Sequence, residues 1–316
     1  MANRLFRLEI MLLNLDDSLM DIEASPHKSE IIICITNILL GFYDGDLLVQ
    51  ASDECYEYYE PFIQDDRAKR SLAYLKSNNS YSYGIEPFNV VNMDRKNIDF
   101  SKKEISIFFF RKTVSVQNTK ILGENGNDVL FYVYLTQYYY PNAHLALEKV
   151  GGGGCTSCDL LKDIQRANNR FCLVIADSDM KYPNAPIGGT AKSISAILNK
   201  KLTQIGYLQL KVHEVENLLP VDFVSEKVRS NKNVHSFLNK IRMCENFKEY
   251  WRYYDIKDGI KVSQIDTNKE YFSYALDIYN NIYPRKGSFE KFLKQLRNKE
   301  KEVVFPLIRT DLLDSF

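Results

Sequence analysis

The sequence lacks several features that mark particular classes of protein. Its longest apolar stretch, residues 31–43, is 13 residues long and includes two polar side chains, whereas a membrane-spanning helix needs about 20 apolar residues. Arg4, Arg7 and Glu9 interrupt the N-terminal segment and no small-residue cleavage site follows, which argues against a signal peptide. The 6 cysteines among 316 residues are too few for a disulfide scaffold. We therefore expect a cytoplasmic protein with reduced thiols and no membrane contact.

The chain also carries no net charge, but its charges are unevenly distributed. Residues 1–118 contain 13 basic and 18 acidic side chains, whereas residues 225–301 contain 17 basic and 10 acidic ones. The basic region includes the aromatic-rich stretch 250–254, and basic side chains interleaved with aromatic ones can contact phosphates and stacked bases. A helical layer covered by solvated lysines explains the same pattern, and charge runs are usually solvated surface.

A composition of 45% hydrophobic and 26% charged residues excludes collagen-like, low-complexity and wholly disordered chains. At roughly 150 residues per domain, the length suits one large domain or two modest ones. We divide the chain into a mixed α+β N-terminal domain at 1–118, a central domain at 119–224 and a basic, mainly helical region at 225–316. The acidic N-terminal domain is the candidate partner or dimer surface.

The N-terminal and C-terminal regions contain several predicted elements. The apolar stretch 31–42 fits either a buried strand or a short buried helix, because periodicity does not separate the two. Residues 65–76 read as a helix, and two stretches rich in aromatic and β-branched residues, 104–110 and 114–117, read as strands. The predicted helices of the C-terminal region are 234–253, 269–282 and 288–299.

The central domain shows a regular alternation of strands and helices. The predicted strands are 120–122, 144–150, 171–176 and 207–212, and the helices between them are 128–139, 158–168 and 191–204. Such alternation predicts an α/β fold with a parallel sheet, flanking helices and right-handed crossovers. Ligands of these sheets bind at the carboxyl ends of the strands.

Acidic side chains follow three of the four predicted strands, within the sequences ILGENGND, VIADSD and HEVENLLP. A parallel sheet brings these strand ends to one edge, where crowded carboxylates repel one another unless a cation neutralises them. Hard oxygen ligands suit Mg²⁺ or Mn²⁺. Any single one of these residues could instead be a helix cap or a solvated turn residue. The set comprises Glu124, Asp128, Asp177, Asp179, Glu214 and Glu216.

These motifs, in this order, resemble the Toprim fold, the catalytic domain shared by topoisomerases, bacterial primases and overcoming-lysogenization-defect nucleases. The resemblance covers about 100 residues, 119–222. The family has a glutamate and a later aspartate after its first strand, an Asp-x-Asp after its third, and in the nuclease branch a Glu-Asn pair. Asn125 stands where the family usually has glycine. The matching residues here are Glu124, Asp128, Asp177, Asp179, Glu216 and Asn217.

The resemblance implies metal-dependent phosphodiester chemistry. Glu124 would be a general acid or base and also a ligand of the metal. Asp177 and Asp179 would be the main ligands of Mg²⁺ or Mn²⁺, and Asp128 and Glu216 would bind a second metal or position the first. Together with Asp177 and Asp179, Glu124 would make up the catalytic set. The chain is too short for the strand-passage modules of a topoisomerase, and it has no counterpart of the zinc-binding portion of a primase.

Further residues near the same edge are accessory candidates. Gly152, Gly153 and Gly154 precede a predicted helix, where backbone amides can hold a phosphate; a tight strand–helix turn is the equal alternative. His213, beside Glu214, could touch a scissile phosphate or be a histidine satisfied by a neighbour. Lys192 could contact a phosphate or be an ordinary surface lysine.

The function that these observations favour is a metal-dependent nuclease that hydrolyses phosphodiester bonds in DNA or RNA. The stand-alone layout resembles the small Toprim effectors of bacterial antiphage defence, which implies abortive infection, control by a partner ATPase or by homo-oligomerisation, and tRNA as one candidate substrate. The alternative is a non-catalytic Toprim-like subunit that binds or regulates within a defence complex.

Overall fold

The computed structural model describes about three fifths of the chain, mainly within its first 218 residues. The predicted helices at 269–282 and 288–299 lie outside the described residues, as does most of 234–253. The described residues are 12–23, 25–78, 86–93, 98–99, 102–139, 147–153, 156–181, 184–198, 204–218, 221, 235, 238–239, 243 and 251–255.

The first sheet has five strands in the order β2-β1-β3-β5-β4. The first four are parallel, and β4 is an antiparallel edge strand on β5. The N-terminal region is therefore a mainly parallel α/β layer, which is more regular than the predicted mixed α+β arrangement. Its elements are β1 (Leu12–Leu15), α1 (Lys28–Asp44), β2 (Leu48–Ala51), α2 (Asp53–Tyr59), α3 (Asp66–Ser77), β3 (Phe88–Val91), β4 (Ile98–Asp99) and β5 (Glu104–Ser106).

The apolar stretch at 31–42 forms a helix, which decides between the two alternatives. Ile31, Ile35 and Ile38 of α1 are fully buried at helical spacing in the core of the first sheet. The helix ends where Gly45 adopts a left-handed conformation, with φ of 80°, as a glycine C-cap does. The predicted helix at 65–76 is confirmed as α3, and the side chain of Asp65 caps it.

The predicted strands at 104–110 and 114–117 are wrong beyond Ser106. Two 3-10 helices, Ile107–Arg111 and Thr113–Val116, take their place. Phe109 and Phe110 are both buried and pack against Phe171. Their ring centroids lie 4.7 and 6.4 Å, respectively, from that of Phe171. A strand would send these two neighbouring side chains to opposite faces, whereas a helical turn lets both enter one core.

The second sheet has four strands, all parallel, in the order β7-β6-β8-β9. The prediction of an α/β fold with a parallel sheet is confirmed, and the strands and helices alternate along the chain as expected. The elements are β6 (Thr119–Gly123), α4 (Gly126–Tyr139), β7 (Leu147–Gly151), α5 (Thr156–Ala167), β8 (Cys172–Ala176), α6 (Gly189–Leu198) and β9 (Ile205–Gln209).

Helices cover both faces of this second sheet. Ile121 and Ile175 pack with Val129 of α4 in one apolar cluster. Their chain neighbours Leu122 and Val174 belong to a different cluster, which contains Leu161 of α5 and Ile194 of α6. Because alternate side chains of a strand enter different cores, the central strand β8 needs a continuous apolar run.

The strand order places a topological switch point between β6 and β8. From β6 the chain crosses to β7 on one side of the sheet, whereas β8 and β9 lie on the other side. Helices leave such a point on opposite faces, which opens a crevice at the carboxyl ends of the two strands. Glu124 follows β6 and Asp177 follows β8, so both residues stand at this point.

No membrane-spanning helix is found in the described part of the chain, where every helix is too short or too polar to cross a bilayer. The 3-10 helix Thr113–Val116 is the last element before the second sheet, whose first strand, β6, begins at Thr119. The division into domains at 118 and 224 stays a prediction.

Candidate functional site

Four carboxylates act electrostatically on Tyr132, in the second turn of α4. Burial raises the pKa of Tyr132 well above its usual value, and the negative charges of four carboxylates raise it further. Tyr132 is 5% exposed, so the charges act through a low-dielectric surrounding. The four carboxylates are those of Glu124, Asp128, Asp177 and Glu216, all of which belong to the predicted metal-ligand set. Their role as metal ligands stays a prediction.

Three of these four carboxylates are buried. Asp128, Asp177 and Glu216 are 4%, 6% and 5% exposed, and Glu214 beside them is 5% exposed. Buried carboxylates are costly unless hydrogen bonds or cations compensate them. Asp128 is compensated in part by its hydrogen bonds with Asn125.

Asn125 organises the turn between β6 and α4. Its side-chain carbonyl accepts a hydrogen bond from the backbone N–H of Asp128 at 3.1 Å, and its amide donates to the carboxylate of Asp128. The first contact is that of a helix N-cap residue. Asparagine therefore starts α4 and orients Asp128 at the position where the Toprim family usually has glycine.

The two aspartates in the loop after β8 differ in their surroundings. Asp177 lies among the buried carboxylates, whereas Asp179 adopts a left-handed backbone conformation with φ of 52° and lies against Gly188. A Cβ atom on Gly188 would stand 2.1 Å from Oδ2 of Asp179, so only glycine fits this approach. The role of Asp179 as a metal ligand stays a prediction.

Hydrogen bonds connect this loop to the turn after β9. The hydroxyl of Ser178 donates to the carbonyl of Val212 at 2.6 Å, and the N–H of Asp179 donates to the carbonyl of His213 at 2.9 Å. Nδ1 of His213 donates to the carbonyl of Met180 at 2.9 Å, because a carbonyl oxygen can only accept. The two loops that carry Asp177 and Glu216 thus form one bonded unit.

His213 is buried and has a neighbour on its other ring nitrogen. Nε2 lies 3.8 Å from Oδ2 of Asp255. Burial by itself lowers the pKa of His213, but the contacts with Asp255 and Met180 and the charge of Glu214 raise it above its usual value. Both ring nitrogens of His213 therefore have neighbours within the protein. Contact of His213 with a phosphate stays a prediction.

The predicted phosphate-binding glycines form a tight strand–helix turn. The N–H of Gly152 donates to the carbonyl of Gly123, and the N–H of Gly153 donates to the hydroxyl of Thr156 at 2.6 Å. Both amides therefore have acceptors within the protein, and Gly154 lies outside the described residues. A Cβ atom on Gly152 would stand 2.8 Å from the Cα of Ser157, which explains the glycine. Phosphate binding stays a prediction.

The remaining accessory candidates are Lys192 and Glu214. Lys192 is exposed on α6, and Glu214 is buried in the turn after β9. Most of the basic region at 225–301 lies outside the described residues, so the prediction of nucleic-acid contact there is untested.

The donor atoms fit a hard divalent cation. Carboxylate oxygens are the ligands that Mg²⁺ and Mn²⁺ prefer, and the negative charges of the four carboxylates that act on Tyr132 favour a cation. No three His, Cys, Asp or Glu side chains within the described ranges already stand in the arrangement of a metal site. Metal binding therefore stays a prediction.

Tyr132 belongs to the apolar core of the second sheet, and its position four residues after Asp128 on α4 places both on one helix face. One contact near the site was not predicted. The segment 251–255 docks on the turn after β9 through Asn217 and His213. No local pattern could have revealed that contact, because it joins residues more than thirty positions apart.

Comparisons of the chain with models of protein families, with curated proteins and with solved structures find no match. The functional argument therefore depends on the site itself and on the sequence motifs.

Proposed function

We propose that the protein is a Mg²⁺- or Mn²⁺-dependent nuclease that hydrolyses phosphodiester bonds, with its active site at the switch point between β6 and β8. The observation that carries this proposal is that buried Asp128 and buried Asp177 follow the paired strands β6 and β8 at the switch point. The negative charges of both, together with those of Glu124 and Glu216, raise the pKa of Tyr132. The Toprim-like order of the motifs supports it, because the same residues are those that the resemblance assigns to metal binding. The parallel sheet and the position of the crevice agree with it.

The residues have distinct tasks in this proposal. Asp177, Asp128 and Glu216 would hold the cation, which when bound supplies charge neutralisation at the phosphate. Glu124 is half-buried at the end of β6, where it can give or take a proton at the reacting oxygen. Asn125 holds Asp128 in place. Asp179 would complete the set after the loop around Gly188 rearranges.

The proposed biological role depends on the Toprim resemblance alone. A Toprim nuclease of this layout would act in the cytoplasm as an antiphage effector, on DNA or on RNA such as tRNA. A partner ATPase or self-association would control it.

A cleavage assay tests the proposal. Purified protein is incubated with Mg²⁺ or Mn²⁺ and with total tRNA, single-stranded DNA, linear duplex DNA or plasmid. Asp177→Asn and Glu124→Gln should each lower the cleavage rate by about 100-fold or more and leave the circular dichroism spectrum unchanged. Asp163→Asn is the matched control, because Asp163 is exposed on α5 and pairs with Arg166 at 3.1 Å. Wild-type rates in Asp177→Asn would contradict the assigned site.

A second candidate function is a Toprim-like binding or regulatory subunit without catalysis. The close approach of Asp179 to Gly188 favours it, because Asp179 is one of the two aspartates that the resemblance assigns to the metal. Titration with Mn²⁺ separates the two candidates. A nuclease should bind the ion at low millimolar concentration or below and lose it in Asp177→Asn, whereas a vestigial site should not bind it.

A further inference from the structure

The segment 251–255 docks on the turn 213–217, which carries Glu214 and Glu216. The N–H of His213 donates to the carbonyl of Arg252 at 2.7 Å. Trp251 and Tyr254 are 3% and 1% exposed, so the segment is anchored by two buried aromatic side chains as well as by hydrogen bonds. We call residues 251–255 the clamp segment.

Asn217 joins the clamp segment to the acidic turn. It is fully buried, and its amide nitrogen donates to the carbonyls of Trp251 and Tyr254 at 2.5 and 2.8 Å. Its amide oxygen accepts a hydrogen bond from the N–H of Glu214 at 2.9 Å. Both donors and the acceptor of one side chain are thus used to hold three backbone positions.

The contacts continue from the acidic turn to the loop after β8. The carbonyl and Nδ1 of His213 bond to the backbone of Asp179 and Met180, and Asp179 is two residues from Asp177. A displacement of the clamp segment would therefore change the backbone positions of both loops that carry carboxylates. Buried, hydrogen-bonded networks of this kind have few intermediate arrangements.

We infer that Asn217 is a positioning residue that couples docking of the clamp segment to the arrangement of the carboxylates at the switch point. The inference rests on the proposed function, because it concerns the metal affinity of that same site. The C-terminal region thereby controls the site: when the segment is docked, Glu216 is held where the cation binds, and when it is released, the affinity for the cation falls. Anything that binds the C-terminal region acts on catalysis through this contact.

The single tryptophan of the protein is Trp251, so its fluorescence reports directly on the clamp segment. Asn217→Asp keeps the size and the acceptor but replaces the two donors by a carboxylate oxygen that faces two carbonyls. Quenching of the fluorescence by acrylamide should rise toward the value of the urea-unfolded protein. The matched control is Asn37→Asp, because Asn37 is also buried and donates to a backbone carbonyl, that of Phe110, at 2.9 Å. Its quenching should equal that of the wild type.

Metal dependence is the readout that a merely structural role would not change. In Asn217→Asp the Mg²⁺ concentration for half-maximal cleavage should rise by roughly tenfold or more, as when a group that orients metal ligands is lost. The rate at saturating Mg²⁺ should fall much less. Asn37→Asp should lower the thermal stability without shifting the Mg²⁺ dependence. Equal shifts in both variants, or no shift in Asn217→Asp, would overturn the inference.

Two further measurements keep the inference separate from the proposed function. If the wild type cleaves no substrate, the proposed function fails, and free Mn²⁺ measured by electron paramagnetic resonance then decides the inference. Weaker Mn²⁺ binding in Asn217→Asp supports it, and equal binding or no binding by the wild type overturns it. If Asn217→Asp does not fold, the coupling can be tested in the wild type alone, because coupling between two sites is reciprocal. Saturating Mg²⁺ must then lower the quenching of Trp251 fluorescence by acrylamide. Unchanged quenching contradicts the coupling.

Discussion

Asn125 binds Asp128 twice: its side-chain carbonyl accepts from the N–H of Asp128, and its amide donates to the carboxylate. One residue therefore both caps α4 and orients a buried carboxylate of the site. Stability and site geometry are linked at this position, and substitutions can separate the two.

We expect Asn125→Ala to destabilise the protein and to disorder Asp128. Loss of the N-cap should lower the free energy of unfolding by about 1 kcal/mol, seen as a lower midpoint in urea unfolding. Asn125→Ser keeps a capping oxygen but removes the amide donor, so it should retain most of the stability and still weaken Mg²⁺ binding. Equal Mg²⁺ affinities in Asn125→Ser and the wild type would show that the contact with the Asp128 carboxylate is unimportant.

The crowded carboxylates predict that Mg²⁺ stabilises the folded protein. At ten times its dissociation constant the ion should add about 1.4 kcal/mol to the free energy of unfolding, measurable as a rise in Tm. Asp177→Asn removes one of the mutually repelling charges, so its Tm in EDTA should exceed that of the wild type while the response to Mg²⁺ disappears. Asp163→Asn should behave as the wild type does. An unchanged wild-type Tm across a Mg²⁺ titration would count against a cation at this edge.

The raised pKa of His213 predicts that the folded protein loses stability as the pH rises. Its pKa in the folded protein is raised above its ordinary value by Asp255 and Met180, against the lowering effect of burial. The stabilisation is therefore complete below the unfolded-state pKa of about 6.5 and is lost as the pH increases through the folded-state pKa. The free energy of unfolding, measured in urea between pH 5.5 and 8.5, should fall over this range.

Asp255→Asn provides the control for the pH prediction. It removes the carboxylate that stands 3.8 Å from Nε2 of His213 and leaves the contact with Met180 in place. The decline in stability above the unfolded-state pKa should become shallower in this variant. A decline of unchanged steepness would assign the pH dependence to other groups.

Three buried thiols should be inert in the folded protein. Burial raises the pKa of Cys34, Cys55 and Cys172 to about 12, and only the thiolate is reactive. At pH 8 a thiol reagent should leave these residues unmodified and label them after unfolding in urea. Peptide mapping by mass spectrometry identifies the sites, and half-buried Cys158 should react earlier. Rapid labelling of Cys172 would show that β8 opens readily.

The α/β fold of the second half could be predicted because its signals are local. An apolar run such as that of β8, followed by a glycine-marked turn and an amphipathic helix, depends only on residues near one another in the chain. The carboxylates at the strand ends could also be predicted, since parallel strands must deliver their carboxyl ends to one edge. In the first half, the stretch at 107–116 shows the limit. Its aromatic and β-branched residues favour a strand, but Phe109 and Phe110 must share one core with Phe171.

The sequence by itself determined the strand–helix alternation, the acidic strand ends and the apolar character of the central strand, because these are properties of neighbouring residues. Only the tertiary structure decided which strand ends are neighbours. The strand order puts β6 beside β8, so Asp128 and Asp177 follow neighbouring strands and both act on Tyr132, while Asp179 lies against Gly188. The clamp segment likewise reaches Asn217 through backbone carbonyls, which every residue has and no sequence pattern marks.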